Sequence, residues 1–409
     1  MARPYDLVVF GATGFTGRLV CEQLLNHYQG SGVRWAMAGR SMEKLKQTQK
    51  QLAETGCSGS ESVPLIVADS SDLSSLNAMT KQAKTVISTV GPYAKYGSPL
   101  VESCVTTSTH YCDLTGEFNW TRTMIQQHHQ EAMEKGVKVV HFCGFDSVPF
   151  DLGVHMVAKS QEALGRKMEA METLMGGALG GISGGTLASG FGIFSDPEAL
   201  KLMKDPYCLV FDDKEKRDDQ ADSKMWGYSK LAKQYTYPFI MAPCNTRVVR
   251  RSNSLIPGGY GERFSYKEEA AAGGFFTSII ATAAMGLGQL VLGLSFLRPL
   301  VMRFLPAPGE GPSREVMMNG YWTANIFGKP VGSDEVVQGR VSGTHDPGYY
   351  DTSRMILECA LALSLQEEEL RKAGYASGGV LTPASAVGTV AIQRLRNAGF
   401  KFEMISESA

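Results

Sequence analysis

The chain has no two cysteines at C-x-x-C spacing; its eight lie at positions 21, 57, 104, 112, 143, 208, 244 and 359. That scatter excludes a zinc ribbon and a thioredoxin-like motif, and it fits a reducing compartment. Net charge is nearly absent too, at −1 from 40 basic and 41 acidic residues, so no electrostatic footprint for nucleic acid is present. The one dense basic run, Arg247, Arg250 and Arg251, reads as a solvated face. H-E-x-x-H is missing, so a metal centre of that kind has no foundation. Only "MARPY" precedes the first apparent strand, so the expectation is that there is no cleavable targeting peptide and that the first domain sits in the cytosol. At 409 residues the length suits two or three domains.

What is present begins with an alternation. "DLVVFG" reads as a buried strand and "FTGRLVCEQLLNHY" as an amphipathic helix; "VRWAMAGR", "MEKLKQTQKQLAE" and "VPLIVAD" repeat the pattern. It continues through "LSSLNAMTKQA", "TVISTVG" and a helix from about Ser98 to "HYCDLTG", "TRTMIQQHHQEAMEKG" and "VKVVHFCG". Such alternation predicts an α/β fold, a doubly wound parallel sheet with helices on both faces. Between the first strand and helix stands Gly11-Ala12-Thr13-Gly14-Phe15-Thr16-Gly17. Gly11 makes the tight turn, Gly14 lets backbone approach a pyrophosphate, and Gly17 permits close helix packing. The helix start at Phe15 and Thr16 then offers free N–H groups to an anion. The spacing is G-x-x-G-x-x-G rather than the commoner G-x-G-x-x-G, and short-chain reductases use it with Tyr-x-x-x-Lys. None of the 15 tyrosines is followed four residues later by lysine, which removes that mechanism.

A carboxylate at the end of the second strand would select NAD by binding the ribose 2′-hydroxyl. Here the place reads Gly39-Arg40-Ser41. A guanidinium pairs with a 2′-phosphate and stacks on adenine, and Ser41 adds a hydroxyl, so NADP(H) is the expected cofactor. The alternative is a surface arginine at a helix start. Asp69, ending the third strand, either faces the adenine edge or caps the helix that starts near Asp72. Thr89-Val90-Gly91-Pro92-Tyr93 ends the fourth strand, with the turn expected along ribose and pyrophosphate; Tyr93 either reaches the nicotinamide or packs.

Six motifs in one order carry a wider likeness: "GATGFTG", "AGRS", "VGPYAKYG", "DLTGE", "GFDSVPFDLG" and "GGVLTPASA". Together they resemble the saccharopine dehydrogenase-like oxidoreductases, a group related to animal lipid-droplet proteins and mycobacterial trans-acting enoyl reductases. The resemblance implies a Rossmann domain over 1–150, a second α+β domain over 151–375, and a segment over 376–409 that returns to the first. Carried over, Cys143, Gly144 and Asp146 line a cleft beside the nicotinamide, with Asp146 or Asp151 orienting a polar group or merely capping a helix. Gly116-Glu117 would face the same cleft, with Glu117 either a general acid raised by burial or a plain helix N-terminal residue. Tyr93, Glu117 and Asp146 are therefore the catalytic candidates.

Saccharopine would need convergent basic side chains. "TRVVRRS" reads as a strand by its β-branched content, which sends Arg250 to the face opposite Arg247 and Arg251, a poor trident. Gly184-Gly185-Thr186, in a glycine-rich stretch, could form another anion-receiving helix start or a simple loop. The charged stretch after Val210 reads as an exposed connector. From Gly273 through Leu297 no side chain is charged. The segment 273–305 is expected either to lie in a membrane or lipid-droplet surface, on its cytoplasmic face, or to be buried, as at a homodimer interface. Three functions follow: an NADP(H)-dependent reductase of a lipid-like enoyl or carbonyl substrate, a saccharopine-type imine reductase, or a non-enzymatic droplet or membrane protein that keeps its dinucleotide site.

Overall fold

The computed structural model describes residues 3–180, 197–211, 221–293 and 311–405. They form two compact units, one joining Met1–Val148 to Gly348–Ala398 and the other joining Pro149–Pro347 to Gly399–Ala409.

In the first unit the chain runs β1 (Tyr5–Phe10), α1 (Phe15–His27), β2 (Trp35–Gly39), α2 (Met42–Glu54), β3 (Leu65–Val67) and α3 (Leu73–Thr80). It goes on through β4 (Ala83–Ser88), α4 (Tyr93–Tyr96), α5 (Ser98–Thr106), β5 (His110–Asp113), α6 (Phe118–Glu134) and β6 (Lys138–Val140). With the strand Gly379–Leu381 these make one seven-stranded sheet, ordered Gly379–Leu381, β6, β5, β4, β1, β2, β3. Every neighbour is parallel. The central strand shows why: Leu7, Val8 and Val9 are all fully buried, so an unbroken apolar run is covered on both faces, as parallel sheets require.

Part of that cover comes from far along the chain. The helix Thr352–Leu365 packs on β1, β4 and β5, and its Ser364 hydroxyl donates to Thr85 Oγ1 at 2.8 Å. Its sequence, "TSRMILECALALSL", is buried nearly all round, which a helix achieves only inside a layered fold. The part that completes the first unit therefore starts at 348 rather than at the expected 376. The last strand, Lys401–Ile405, was expected on the first unit and instead closes the second sheet, antiparallel to Val337–Gly343. Its alternation of exposed and buried residues suits such an edge.

The second unit follows α7 (Val148–Glu162) and holds β7 (Met168–Leu179), β8 (Gly227–Ser229), β9 (Gln234–Pro238), β10 (Ser265–Ala271), β11 (Tyr321–Pro330) and β12 (Val337–Gly343). The order is Lys401–Ile405, β12, β11, β7, β10, β9, β8, antiparallel except for β7 against β10.

"TRVVRRS" is not a strand. It lies within the helix Ala242–Leu255, with a proline in the first turn where proline is pre-organised for a helix. Two valines cost a helix only about 1 kcal/mol, and the guanidiniums outweigh them. Arg247 donates to the carbonyl of Met203 at 2.6 Å, Arg250 to Pro206 at 3.1 Å and Arg251 to Leu209 at 2.7 Å. Arg247 also pairs with Asp222 at 2.8 Å. The run is thus buried rather than solvated, and one helical face binds successive carbonyls of a neighbouring segment.

The apolar run forms the helix Phe275–Gly293. Its start packs through Phe275 against Trp226 and Tyr235, with ring centroids 4.9 and 5.6 Å apart. Beyond that, Phe276 is 77% exposed, Ile280 68% and Leu287 62%. No helix among the described residues is long and apolar enough to cross a membrane. The Gly184–Gly185–Thr186 motif, most of the charged connector and the apolar run past 293 lie outside the described residues.

Candidate cofactor and active site

The turn from β1 into α1 is built so that only glycine fits it. Gly11 has φ +91°, and a Cβ there would come within 2.7 Å of Thr89 Oγ1 and 2.8 Å of Val90 Cγ2. A Cβ on Gly17 would stand 2.1 Å from the Gly11 carbonyl oxygen. The fourth strand's end thereby packs beneath the loop, and Thr89 Oγ1 donates to the Gly11 carbonyl at 3.2 Å. Gly14 is the N-cap of α1, with no side chain capping it. The first N–H groups of a 13-residue helix, at Phe15, Thr16 and Gly17, are left without an internal partner, beside the positive end of the helix dipole. Thr13 leans toward β2, its methyl 3.8 Å from where a Gly39 Cβ would be. Gly17→Ala is expected to cost roughly 1–3 kcal/mol through overpacking. The check is thermal unfolding alongside an NADPH titration, and both Tm and affinity should fall.

Arg40 is exposed and makes no hydrogen bond or ion pair among the described residues. Ser41 caps α2, its hydroxyl oxygen accepting from Lys44 N–H at 3.3 Å, which leaves the hydroxyl proton free to donate. Asp69 accepts from the N–H and hydroxyl of Ser71 at 2.9 and 2.7 Å, and these bonds, with a smaller contribution from Arg40, hold its carboxyl below the usual range. The cap of α3 is Asp72, so Asp69 shapes the turn before it.

Gly91–Pro92 is a cis peptide that leads into Tyr93. The Tyr93 ring packs: it is buried, stacked on Trp120 with centroids 5.6 Å apart. Its hydroxyl donates to the Ser88 carbonyl at 3.0 Å and accepts from Leu114 N–H at 3.2 Å. Glu117 is likewise committed, each oxygen taking one N–H of the α4 turn, Tyr93 at 2.9 Å and Ala94 at 2.8 Å. Cys143 is fully buried, which pushes its thiol well up, and Gly144 sits where a Cβ would be 3.0 Å from Leu114 and 3.1 Å from Thr352.

Asp146 differs from both other candidates. It follows β6, is half-buried, and its carboxylate has no hydrogen-bond partner among the described residues. Burial pushes its pKa up to about 6. Gly116 lies alongside, with a would-be Cβ 3.6 Å from Asp146 Oδ2. Asp151, in the second unit, accepts from Ser252 at 2.5 Å and is fully buried. Sequence reasoning missed one group here, the buried set Asp113, Tyr111 and His141. Asp113 ends β5 and His141, 28 residues on, directly follows β6, and the two meet at 2.7 Å; the only signal was a polar residue at the end of each buried apolar run.

Comparison with known proteins agrees with this geometry. Residues 7–140 match the saccharopine dehydrogenase NADP binding domain family. A protein of Mycobacterium leprae named trans-acting enoyl reductase is 36% identical over 419 residues, covering 97% of each chain. The chain belongs to the saccharopine dehydrogenase-like oxidoreductases. A trans-acting enoyl reductase of Mycobacterium tuberculosis is 35% identical, again over 97% of both chains. Among solved structures, apo saccharopine dehydrogenase (L-Glu forming) from Saccharomyces cerevisiae has a TM-score of 0.52 over 98% of this chain and 100% of that one, at 12% identity. That likeness shows a shared fold. As a saccharopine dehydrogenase-like protein, this oxidoreductase uses NADP(H), and the uncapped α1 start, the glycine turn and the unpaired Arg40 fit that dinucleotide.

Proposed function

We propose that this saccharopine dehydrogenase-like protein reduces an enoyl or carbonyl group of a lipid-like substrate, with Asp146 as the proton source. The observation that carries the reading is Asp146 itself, the one of the three candidate acids that no hydrogen bond among the described residues already engages. The full-length likeness to proteins named trans-acting enoyl reductases supports the substrate class. NADPH, when bound, supplies the hydride. The chain's own part is threefold. Phe15, Thr16 and Gly17 N–H groups take the pyrophosphate, Arg40 and Ser41 take the 2′-phosphate, and Thr89 to Pro92 support the ribose side. The protonated Asp146 then gives its proton to the α-carbon of an enoyl group, or to the oxygen of a carbonyl, as negative charge develops there.

Turnover of an enoyl, carbonyl and imine panel, followed by NADPH absorbance, tests this. Reduction of enoyl or carbonyl lipids is expected. Turnover confined to imines, or oxidation of saccharopine with NADP, would favour the imine-reductase reading. Arg247, Arg250 and Arg251 speak against that reading, because main-chain carbonyls already engage them. NADPH binding with no turnover would leave the non-enzymatic reading.

The exposed helix Phe275–Gly293 supports a location on a membrane or lipid-droplet surface, since a large uncharged patch on water is costly without an apolar partner. Wild-type protein is expected to float with phosphatidylcholine vesicles, and Phe276→Glu with Ile280→Glu to stay at the bottom of the gradient. A wild type that ignores vesicles but sediments as a dimer, split by the same substitutions, would make this face a subunit interface.

A further inference from the structure

One buried carboxylate at the end of β5 gathers donors from its own strand and from the loops that follow β5 and β6. Asp113 Oδ1 accepts from Thr115 N–H at 3.1 Å and from Phe142 N–H at 3.4 Å. Its Oδ2 accepts from the Tyr111 hydroxyl at 3.0 Å and lies 2.7 Å from His141 Nδ1. Its main-chain carbonyl takes Cys143 N–H at 2.8 Å. All of these groups are buried. The residue at the centre of this net, Phe142, has φ +64°, a left-handed conformation that a bulky side chain adopts only when its surroundings impose it. The His141 ring is enclosed by Trp120, Tyr111 and Phe142, with centroids 5.0, 5.8 and 6.1 Å away. Its Nε2 is buried and has no hydrogen-bond partner among the described residues. A carboxylate at Nδ1 selects the tautomer that carries its proton there.

We infer that Asp113 is a positioning residue, which holds His141 as the Nδ1–H tautomer and Phe142 in its left-handed backbone and so sets the turn that carries Asp146. The contacts fit this assignment. Asp113 bonds to residues 141, 142 and 143 in succession, and Gly144 to Asp146 follow directly. Thr352 takes the other end of the turn, accepting from Phe145 N–H at 2.9 Å. Without the carboxylate, the main-chain bond from Cys143 N–H to the Asp113 carbonyl is what the described residues leave on the β5 side to hold Phe142 away from ordinary backbone angles, and Asp146 would relax toward water. The catalytic consequence rests on the reading of Asp146 as proton donor; the positioning itself does not.

The test uses full-length protein labelled with ¹³C at aspartate carboxyls and ¹⁵N at histidine rings, with Asp146→Asn and His141→Gln to assign the signals. In the wild type, His141 is expected to show its proton on Nδ1, and a proton found on Nε2 overturns the inference whatever the variants do. In Asp113→Asn, the Asp146 midpoint is expected to fall by about one unit toward the ordinary carboxylate range. The NADPH Kd should change less than about threefold, roughly 0.7 kcal/mol, because the glycine turn lies on other strands. Tyr111→Phe, which removes one donor and keeps the ring, should shift the midpoint the same way by less, and serves if Asp113→Asn does not fold. A folded variant whose Asp146 midpoint stays at the wild-type value overturns the assignment. If the midpoint moves but Asp146→Asn retains full turnover, the proton-donor reading fails and the positioning stands.

Discussion

Arg40→Asp abolishes the preference for NADPH over NADH. Charge-assisted hydrogen bonds to a phosphate contribute about 1.5–3 kcal/mol each, so losing the guanidinium should weaken NADPH binding roughly 10- to 100-fold. The new carboxylate adds repulsion toward a 2′-phosphate and offers an acceptor to a 2′-hydroxyl, so NADH affinity should hold or improve. Fluorescence titration of both nucleotides against both proteins reads this directly. The effect should shrink as salt is raised, because Arg40 is exposed and its field is screened. An unchanged NADPH affinity would make Arg40 a surface arginine at a helix start, and the 2′-phosphate would need another partner.

Asp146→Asn lowers kcat by roughly 10²–10⁴-fold, the usual contribution of a positioned general acid, and leaves the NADPH Kd unchanged. The wild-type rate should also carry a pH limb. With its pKa pushed up to about 6 by burial, Asp146 holds its proton below that pH and loses it above, so turnover should fall as pH rises through about 6. In Asp146→Asn that limb should be gone. Stability has the same sign. An unfolded aspartate releases its proton near pH 4, whereas the folded one keeps it to about 6. The folded state therefore binds more protons in that window, and stability should decline as pH rises across it. Urea unfolding at several pH values checks this, and Asp146→Asn should flatten the slope. A limb that survives the substitution belongs to another group.

The glycine turn was legible because its chemistry is backbone chemistry at fixed local spacing. Gly11, Gly14 and Gly17 stand within one turn, and Arg40 follows at the next strand's end, so the linear order already contains the geometry. Tyr93 and Glu117 read less well. Both were plausible acids by type and position, and only coordinates reveal that the Glu117 carboxylate is taken up by the N–H groups of Tyr93 and Ala94. The pairing of Asp113 with His141 was invisible, since parallel pairing of β5 and β6 brings their ends together across 28 residues. The arginine run misled for a different reason. β-branched content is a weak preference, and the carbonyls of Met203, Pro206 and Leu209 that settle the matter lie more than 40 residues away. The boundary at 348 escaped for want of any composition change there; the apolar helix after it could have belonged to either unit.

The helix Thr352–Leu365 that lies on β1, β4 and β5 has a consequence for biosynthesis. At translation rates of roughly 5–20 residues per second, β1 leaves the ribosome on the order of tens of seconds before that helix does. Throughout that interval one apolar surface of the nascent parallel sheet lacks its partner, and the strand Gly379–Leu381 that extends the sheet beside β6 has not yet been made. The nucleotide-binding unit therefore matures only after most of the second unit has been synthesised. The first 148 residues, expressed alone, would present that uncovered sheet to other chains and to chaperones.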